Sequence, residues 1–413
     1  MKCLKILVGL ALLLFGVPAF AQIGCVLQLP PNADVAAIAA NAGGAVVDAM
    51  PDVNQILLSV PNCSPNSPPS GVTWQEPNAS TTFPSNPHPA YLVASPNAAA
   101  SWYSTQPSFG LINLNGGLTY STGRGVVIAD IDSLVDYSHP ALAGHLTSSY
   151  DFVVERPQGV AILNDSSAGY LDDSSAGYLD TATITYINDS SAGYLDTTTG
   201  GYLNTLNPAY SHGTLVAGIL AAVAPDAMIM PLRAFDNNGS SDTFAIAKAI
   251  RWAVNNGAKV INMSFGTLTN AQVLQTAIAY ALAHNVTLVA SAGNNNTSAP
   301  QYPAAYSGVI STAATNLLDI KAPFSNYGPS INMGAPGVNI ISAVPGNLYG
   351  IVSGTSFSAP IIAGTAALVL SEGVTSVTNQ ITSGAVNINA INPAYSGQLG
   401  SGRVDVLKSV HPH

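Results

Sequence analysis

Short apolar segments alternate with longer helical segments over most of the chain after residue 101. A continuous apolar strand is buried on both faces, because a half-exposed strand alternates apolar with polar residues. The apolar runs are residues 126–132, 227–235, 259–264, 287–293 and 309–314. The helical stretches are residues 214–223, 241–255, 270–284 and 356–370. This alternation predicts an α/β domain whose sheet is mostly parallel and lies between layers of helices.

The first part of the chain has a different pattern. Residues 25–29, 45–47 and 55–60 are predicted strands, and a short Ala-rich helix begins near Asn32 and stops before Gly43. Pro, Ser and Asn then dominate with little periodicity, which is typical of an exposed linker. We therefore expect a small α+β module over residues 22–60, a linker over 61–104 and the main domain over 105–410.

A short repeat interrupts the main domain. One copy begins at Asp165, a near copy follows at Asp173, and a third begins at Asp189. We expect the surrounding insertion, residues 157–209, to be a surface feature that the fold tolerates. The alternative is a loop that binds calcium or substrate, since carboxylate oxygens are ligands that Ca²⁺ prefers.

The N-terminus has the pattern of an export signal. Lys2 and Lys5 precede a short apolar run over residues 6–17, and Ala19 and Ala21 are small residues where signal peptidase cuts. We expect residues 1–21 to be removed and the mature protein to be secreted, extracellular and free of the membrane. A retained membrane anchor is the alternative, but the run is shorter than the roughly 20 residues that a spanning helix needs.

Two cysteines remain once that signal is removed, and both lie in the N-terminal region. Export leads to an oxidising compartment, which permits a disulfide between Cys25 and Cys63. Two unpaired thiols are the alternative. The charge balance excludes one class of partner, because 11 Lys and Arg stand against 21 Asp and Glu. Phosphate contacts need clustered basic residues, so we expect no nucleic-acid binding.

Three segments carry the residue types that acyl transfer requires. Asp132 ends a buried apolar strand, His212 opens an apolar helix, and Ser356 starts another helix. Serine is a weak nucleophile unless a histidine takes its proton, and a buried acid must orient that histidine. Asn294 ends a further strand with an amide that could stabilise an oxyanion. Any one of these residues alone could be a helix cap or part of a turn. The prediction of an active site therefore rests on their joint occurrence at the ends of strands and helices.

These motifs resemble those of the subtilisin-like serine proteases, or subtilases. The order Asp, His, Ser along the chain is the one that this family uses. Residues 212–214, 292–294 and 354–360 resemble the family's His, oxyanion and Ser motifs. Residues 262–266 resemble the strand that lines the primary specificity pocket, and residues 402–405 resemble the end of the catalytic domain. The resemblance therefore covers most of the chain.

The resemblance implies a three-layer subtilisin-like fold and a secreted serine endopeptidase. In the implied mechanism Ser356 attacks the scissile carbonyl, and His212 takes the proton and later delivers it to the leaving amine. Asp132 would orient His212, and Asn294 would stabilise the oxyanion together with the backbone N–H of the nucleophile. This chemistry requires no cofactor, although a structural calcium ion could be bound.

The resemblance also implies how substrates and partners bind. Ser264, Phe265 and Gly266 would hold an extended polypeptide as an added strand. Subtilases are often made with a propeptide that assists folding and inhibits the active site, and residues 22–60 are expected to act as one. An accessory domain kept in the mature protein is the alternative. We expect the enzyme to be a monomer.

One residue departs from the family's pattern at the acid. Where the family has Asp-Thr-Gly, this chain has Asp132-Ser133-Leu134, so a Leu adds bulk and removes the backbone freedom of Gly. Asp130 lies on the same side of the strand as a rival acid, and Asp136 is expected to be structural. The departure leaves the alternative of a catalytically impaired homologue that acts as an extracellular binding protein. An esterase that uses the same triad is a further alternative.

Overall fold

The computed structural model describes residues 23–82, 91–93, 96–153, 208–236 and 239–411. The predicted export signal and nearly all of the repeat-bearing insertion lie outside these ranges, so both stay predictions. The chain divides between Asn78 and Ala79 into two compact units. None of the helices in the described ranges combines the length and the apolar character needed to cross a bilayer.

The first unit is a small α+β module. Its strands are β1 (Ile23–Gln28), β2 (Ala45–Met50), β3 (Gln55–Val60) and β4 (Trp74–Pro77). They form an antiparallel sheet in the order β2–β3–β1–β4. Helix α1 (Val35–Asn41) begins after Asp34, whose Oδ1 accepts the Ala37 N–H at 3.0 Å. Cys25 and Cys63 are joined by a disulfide, which is the first of the two alternatives for these cysteines.

The segment predicted as a linker, residues 61–104, is divided differently in the structure. Its first part belongs to the first unit, because β4 pairs with β1. Its second part opens the second unit with β5 (Ser80–Thr82), β6 (Tyr91–Val93) and α2 (Pro96–Thr105). Strands of three or four residues beside prolines are too short to show a hydrophobic period, which is why the sequence pattern missed them.

The second unit is built around a seven-stranded sheet in which every pairing is parallel. Its strands are β7 (Val127–Asp132), β8 (Tyr150–Asp151), β9 (Met228–Arg233), β11 (Val260–Met263), β12 (Thr287–Ser291), β13 (Val309–Thr315) and β14 (Met333–Pro336). The strand order is β14–β13–β12–β11–β7–β9–β8. This confirms the predicted α/β fold class with a mostly parallel sheet.

Two pairs of helices pack on this sheet. Helix α5 (Pro208–Val223) packs against α8 (Thr355–Ser371), and α6 (Thr243–Asn255) packs against α7 (Gln272–Ala283). Shorter helices are α3 (Pro107–Leu111), α4 (Leu114–Leu118), α9 (Val377–Ser383) and α10 (Val406–Val410). Helix α8 is buried over nearly its whole length and contacts five strands of the sheet, so it lies at the centre of the core.

Three further strands complete the unit. Strand β10 (Ser240–Asp242) pairs in antiparallel register with β5. Strands β15 (Ile340–Val344) and β16 (Leu348–Val352) form an antiparallel hairpin, to which β6 adds a third strand. The β5–β10 ribbon lies next to the predicted substrate-binding residues, so it bears on function.

Candidate active site

The structure brings Asp132 and His212 into contact. Asp132 is the last residue of β7 and is only 1% exposed. His212 lies near the start of α5, and its Nδ1 is 2.9 Å from each carboxylate oxygen of Asp132. The buried carboxylate can therefore fix the imidazole with its proton on Nδ1 and leave Nε2 to accept a proton. The His212 side chain keeps 12% exposure, so it remains reachable at the surface.

Ser356 is the second residue of α8, and its hydroxyl donates to the carbonyl oxygen of Ser264 at 3.0 Å. The neighbouring Phe357 ring lies 5.7 Å from the His212 ring, centroid to centroid, and α8 packs against α5, the helix that carries His212. A serine in the first turn of a helix has its backbone N–H without an intrahelical partner. That N–H is a donor available to a developing oxyanion.

Thr355 orients the amide of Asn294. Its backbone N–H and its hydroxyl both donate to Asn294 Oδ1, at 2.9 and 2.8 Å. Because the oxygen end of the amide is held in this way, the Nδ2 group faces away from Thr355 as a donor. A Cβ built on Gly354 would lie 3.5 Å from Nδ2, so the amide lies against the loop before the nucleophile. The sequence singled out Asn294 but gave no sign of the part that Thr355 plays.

The loop after Asp132 accepts the unusual Leu134 without strain. The backbone φ of Leu134 is not positive, so this position does not need the conformational freedom of Gly. The Ser133 N–H donates to Asp132 Oδ1 at 2.7 Å, and Ser133 Oγ accepts the Gly213 N–H at 3.0 Å. The Ser133 hydroxyl therefore ties the acid loop to α5.

The rival acids have other contacts. Asp136 accepts from the Gly346 N–H at 2.9 Å and from the Ser138 N–H at 2.9 Å. His139 is fully buried, and its Nε2 lies 2.8 Å from the Leu348 carbonyl, so this loop is tied to β16. Burial lowers the pKa of His139, although the bond to Leu348 and the charge of Asp136 oppose that shift. Asp130 contacts Asn262, so Asp132 is the acid that the structure places on His212.

The residues predicted to bind substrate follow the carboxyl end of β11. Phe265 turns inward, with its ring 5.0 Å from that of Phe235, so only its backbone is left for a peptide. The carbonyl of Gly266 accepts a hydrogen bond from Thr81 Oγ1 at 3.2 Å. Sequence reasoning missed β10, because its Ser, Ser and Asp are typical of a turn.

No cluster of three or more His, Cys, Asp or Glu side chains able to hold a metal ion occurs in the part of the chain that the structure describes. The Asp residues of the repeat, which are the predicted calcium ligands, lie outside that part. A structural calcium ion therefore stays a prediction.

A parallel α/β sheet with a buried acid–histidine pair at one strand end, and a serine at the start of a helix that packs against the histidine's helix, is the arrangement of a serine hydrolase. The profile of the subtilase family matches residues 123–401. The chain belongs to the subtilase family.

Known relatives and solved structures agree with this assignment. The chain is 36% identical over 259 residues to the thermophilic serine proteinase of Bacillus sp. (strain AK1), a match that covers 60% of this chain and 53% of that protein. The chain thus spans about half the length of this relative. It is 34% identical over 261 residues to thermitase of Thermoactinomyces vulgaris, which covers 61% of this chain and 77% of thermitase.

The fold has a solved counterpart. The crystal structure of fervidolysin from Fervidobacterium pennivorans, described as a keratinolytic enzyme related to subtilisin, matches with a TM-score of 0.69 at 24% identity. The match covers 94% of this chain and 61% of fervidolysin. At this level of identity the likeness shows the fold alone, and it confirms the subtilisin-like architecture.

Proposed function

We propose that this chain is a secreted serine endopeptidase that hydrolyses peptide bonds in polypeptides. The contact of His212 Nδ1 with both oxygens of the buried Asp132 carries the proposal. A histidine fixed in this way is a general base for a nearby serine hydroxyl. Ser356 and Asn294 stand at the ends of neighbouring core elements, where a nucleophile and an oxyanion donor are needed.

The mechanism follows from these positions. Ser356 Oγ attacks the scissile carbonyl while His212 takes its proton. The tetrahedral oxyanion receives hydrogen bonds from Asn294 Nδ2 and from the Ser356 backbone N–H. The histidine then protonates the leaving amine, and a water molecule repeats the sequence to release the acyl group. Asp132 keeps the imidazole oriented and stabilises its positive charge throughout.

Substrate would bind as an extended strand beside Gly266 and β10. Gly266 offers its backbone beyond the carboxyl end of β11, and β10 offers the backbone that pairs with β5. Backbone bonding of this kind tolerates many side chains. Support comes from β5, which already lies antiparallel to β10 with Thr81 opposite Ser241. The same Thr81 bonds the Gly266 carbonyl. This segment of the chain therefore occupies a place that fits an extended peptide.

The position of β5 supports a propeptide role for the N-terminal part. Because Ser80–Thr82 lies where substrate is proposed to bind, it would compete with substrate until the chain is cut. The cut would fall after Thr82, within the segment predicted as a linker. The residues before it would then act as an inhibitor held by the same chain and as an aid to folding.

Casein hydrolysis by the secreted chain and by its Ser356→Ala variant tests both proposals, with N-terminal sequencing of each product. We expect the wild-type chain to cut casein and to lose at least its first 82 residues. The variant should do neither, apart from loss of the export signal. A folded wild-type chain that stays full length and leaves casein intact would refute the peptidase, and would favour the binding protein instead. Hydrolysis of a peptide ester without hydrolysis of casein would favour an esterase.

A further inference from the structure

Asp130 is a buried carboxyl group that the proposed mechanism does not use. It is 1% exposed and lies two residues before Asp132 on β7, so the two side chains share one face of the sheet. Asn262 lies opposite Asp130 on β11 and donates from Nδ2 to Asp130 Oδ1 at 2.9 Å. An ionised carboxylate at such a depth is costly unless cations or several donors surround it.

The hydrogen bonds of Asn262 lead from Asp130 to the nucleophile. Its Nδ2 also donates to Ser264 Oγ at 3.0 Å, and Ser264 Oγ donates to the backbone carbonyl of Ser356 at 2.8 Å. The direction of this series is fixed, because the amide nitrogen uses both of its hydrogens and the hydroxyl uses its only one. Asp130 must therefore accept at Oδ1.

Pro360 explains why the hydrogen bond from Ser264 to the Ser356 carbonyl matters. The Ser356 carbonyl would normally accept the backbone N–H four residues later in α8, and that residue is Pro360, which has no N–H. Ser264 Oγ supplies the missing donor from β11. The turn that carries the nucleophile is thus held from outside the helix.

Two buried acceptors of the Asp130–Asn262 pair are left over. Within the described ranges, neither Asp130 Oδ2 nor Asn262 Oδ1 has a hydrogen-bond partner. A proton on Asp130 Oδ2 makes that atom a donor, whereas Asn262 Oδ1 is an acceptor that lacks one. A neutral Asp130 therefore gives the pair one donor for one acceptor, whereas an ionised Asp130 leaves two buried acceptors without a donor.

The surroundings of Asp130 favour its protonated form. Burial, and then the charge of Asp132, raise the pKa of Asp130 well above its usual value, and the bond from Asn262 opposes this only in part. The described titratable and charged side chains on the elements that pack against β7 are His212 on α5, Arg233 on β9, and Lys248 and Arg251 on α6. His212 bonds Asp132, Arg233 bonds Asp151, and Arg251 lies over the Tyr280 ring. Strand β11 and helix α8 carry no titratable side chain.

We propose that Asp130 is a positioning residue of the active site, a neutral carboxyl group that holds Asn262 and Ser264 and, through them, the backbone of Ser356. The role rests on the proposed peptidase function, whereas the neutral state of the carboxyl group does not. Two experiments separate these parts.

Infrared difference spectroscopy tests the neutral carboxyl group without any need for activity. The Ser356→Ala chain at pH 7 should show the carbonyl stretch of a protonated carboxyl group, and the same chain with Asp130→Asn should lack that band. A Ser356→Ala spectrum with no such band at pH 7 overturns the neutral state. Since this readout does not involve catalysis, it decides the matter even for a chain that fails to cut casein.

Kinetics of a peptide p-nitroanilide test the positioning role. In Asp130→Asn the new amide can offer Asn262 the same donor and acceptor, so kcat at pH 7 should stay within about twofold of wild type. Wild-type kcat should fall at alkaline pH as Asp130 ionises, and Asp130→Asn should lose that fall. Asp130→Val removes the acceptor of the hydrogen bond from Asn262, and it should lower kcat about tenfold with little change in KM.

Asp226→Asn is the matched control. This carboxyl group is exposed, and in the described structure its side chain accepts hydrogen bonds from Thr122 and Arg124 at the surface. Its pH profile should overlay that of wild type. The positioning role is overturned if Asp130→Asn keeps the alkaline fall, or if a folded Asp130→Val variant keeps the wild-type kcat. Should Asp130→Val fail to fold, the pH profile of Asp130→Asn still decides.

Discussion

At the residue scale, Asn294 illustrates how a neighbour orients a side chain for the role proposed for it. Thr355 holds the amide oxygen by two hydrogen bonds, so Nδ2 is the donor left for the oxyanion. Removal of one oxyanion-hole donor in subtilisin lowers kcat about 10²–10³-fold. We expect a loss of the same order in Asn294→Ala with little change in KM, because the donor acts on the transition state.

Steady-state kinetics of a peptide p-nitroanilide measure this effect. Asn256→Ala is the matched control, since Asn256 is exposed at the end of α6 and its side chain bonds the Trp252 carbonyl. Equal losses in both variants, or a rise in KM with kcat unchanged, would argue against an oxyanion role for Asn294.

Leu134 is the residue at which the sequence raised a doubt about activity. Its φ is not positive, so the Gly that the family has there is not required by this backbone. Leu134→Gly should lower the free energy of unfolding by about 0.5–1 kcal/mol, because Gly adds entropy to the unfolded chain. It should leave kcat unchanged.

Denaturant unfolding in the Ser356→Ala chain gives the first quantity, and the kinetics of Leu134→Gly in the otherwise wild-type chain give the second. A tenfold gain in kcat would mean that Leu134 does impair the site, and that the absence of backbone strain misses the cause.

At the element scale, the position of α5 depends on a close approach at Gly213. A Cβ added there would lie 2.6 Å from the Ser133 carbonyl oxygen and 2.8 Å from that of Leu134. Gly213→Ala should therefore push the start of α5 away from the acid loop and separate His212 from Asp132. We expect kcat to fall at least tenfold, because a misplacement of about 1 Å can cost a factor of 10².

Gly110→Ala is the control, because Gly110 lies in α3 with open space around an added Cβ. It should be neutral or slightly stabilising in thermal unfolding and should leave kcat unchanged. A Gly213→Ala variant with wild-type kcat would mean that the loop and α5 can move apart without cost.

The elements differ in how well the sequence predicted them. Strands β7, β9, β11, β12 and β13 were visible because each is buried on both faces and has a mostly apolar sequence. Strands β4, β5, β6 and β10 were not visible in the sequence, because they are defined by pairing with a neighbouring strand and not by burial. The contact between Asp132 and His212 was predictable for a related reason, since Asp132 ends β7 and His212 lies near the start of α5.

The network around Asp130 was beyond the sequence. An acid inside an apolar run indicates a buried charge or a buried proton, but only the register of β7 and β11 places Asn262 opposite it. The link to Ser356 needs one fact more, namely that Pro360 leaves a carbonyl without its helical donor. Local patterns predict elements, whereas side-chain networks depend on how the elements are paired.

At the scale of the whole molecule, the two units are stabilised by different means. The first unit has a small apolar core, formed by Cys25, Leu27, Leu29, Ile38, Ala39, Ile56, Leu58 and Val60. A core of this size supplies little stability by itself, and small units of this kind usually need a covalent link. The second unit has a far larger core around α8 and, among its described residues, has no disulfide.

The disulfide should therefore matter for making the enzyme and not for its chemistry. Cys25 and Cys63 are 38 residues apart, and closing a loop of that length contributes about 4 kcal/mol in the chain-entropy model. We expect the Cys25→Ser, Cys63→Ser double variant to give much less active enzyme, because an unfolded first unit could not act as the folding aid proposed for it. Its kcat per active site, counted by titration with a serine-directed sulfonyl fluoride, should equal that of wild type. A normal yield would show that the first unit is an accessory domain and not a folding aid, whereas a lower kcat per site would show that it takes part in catalysis.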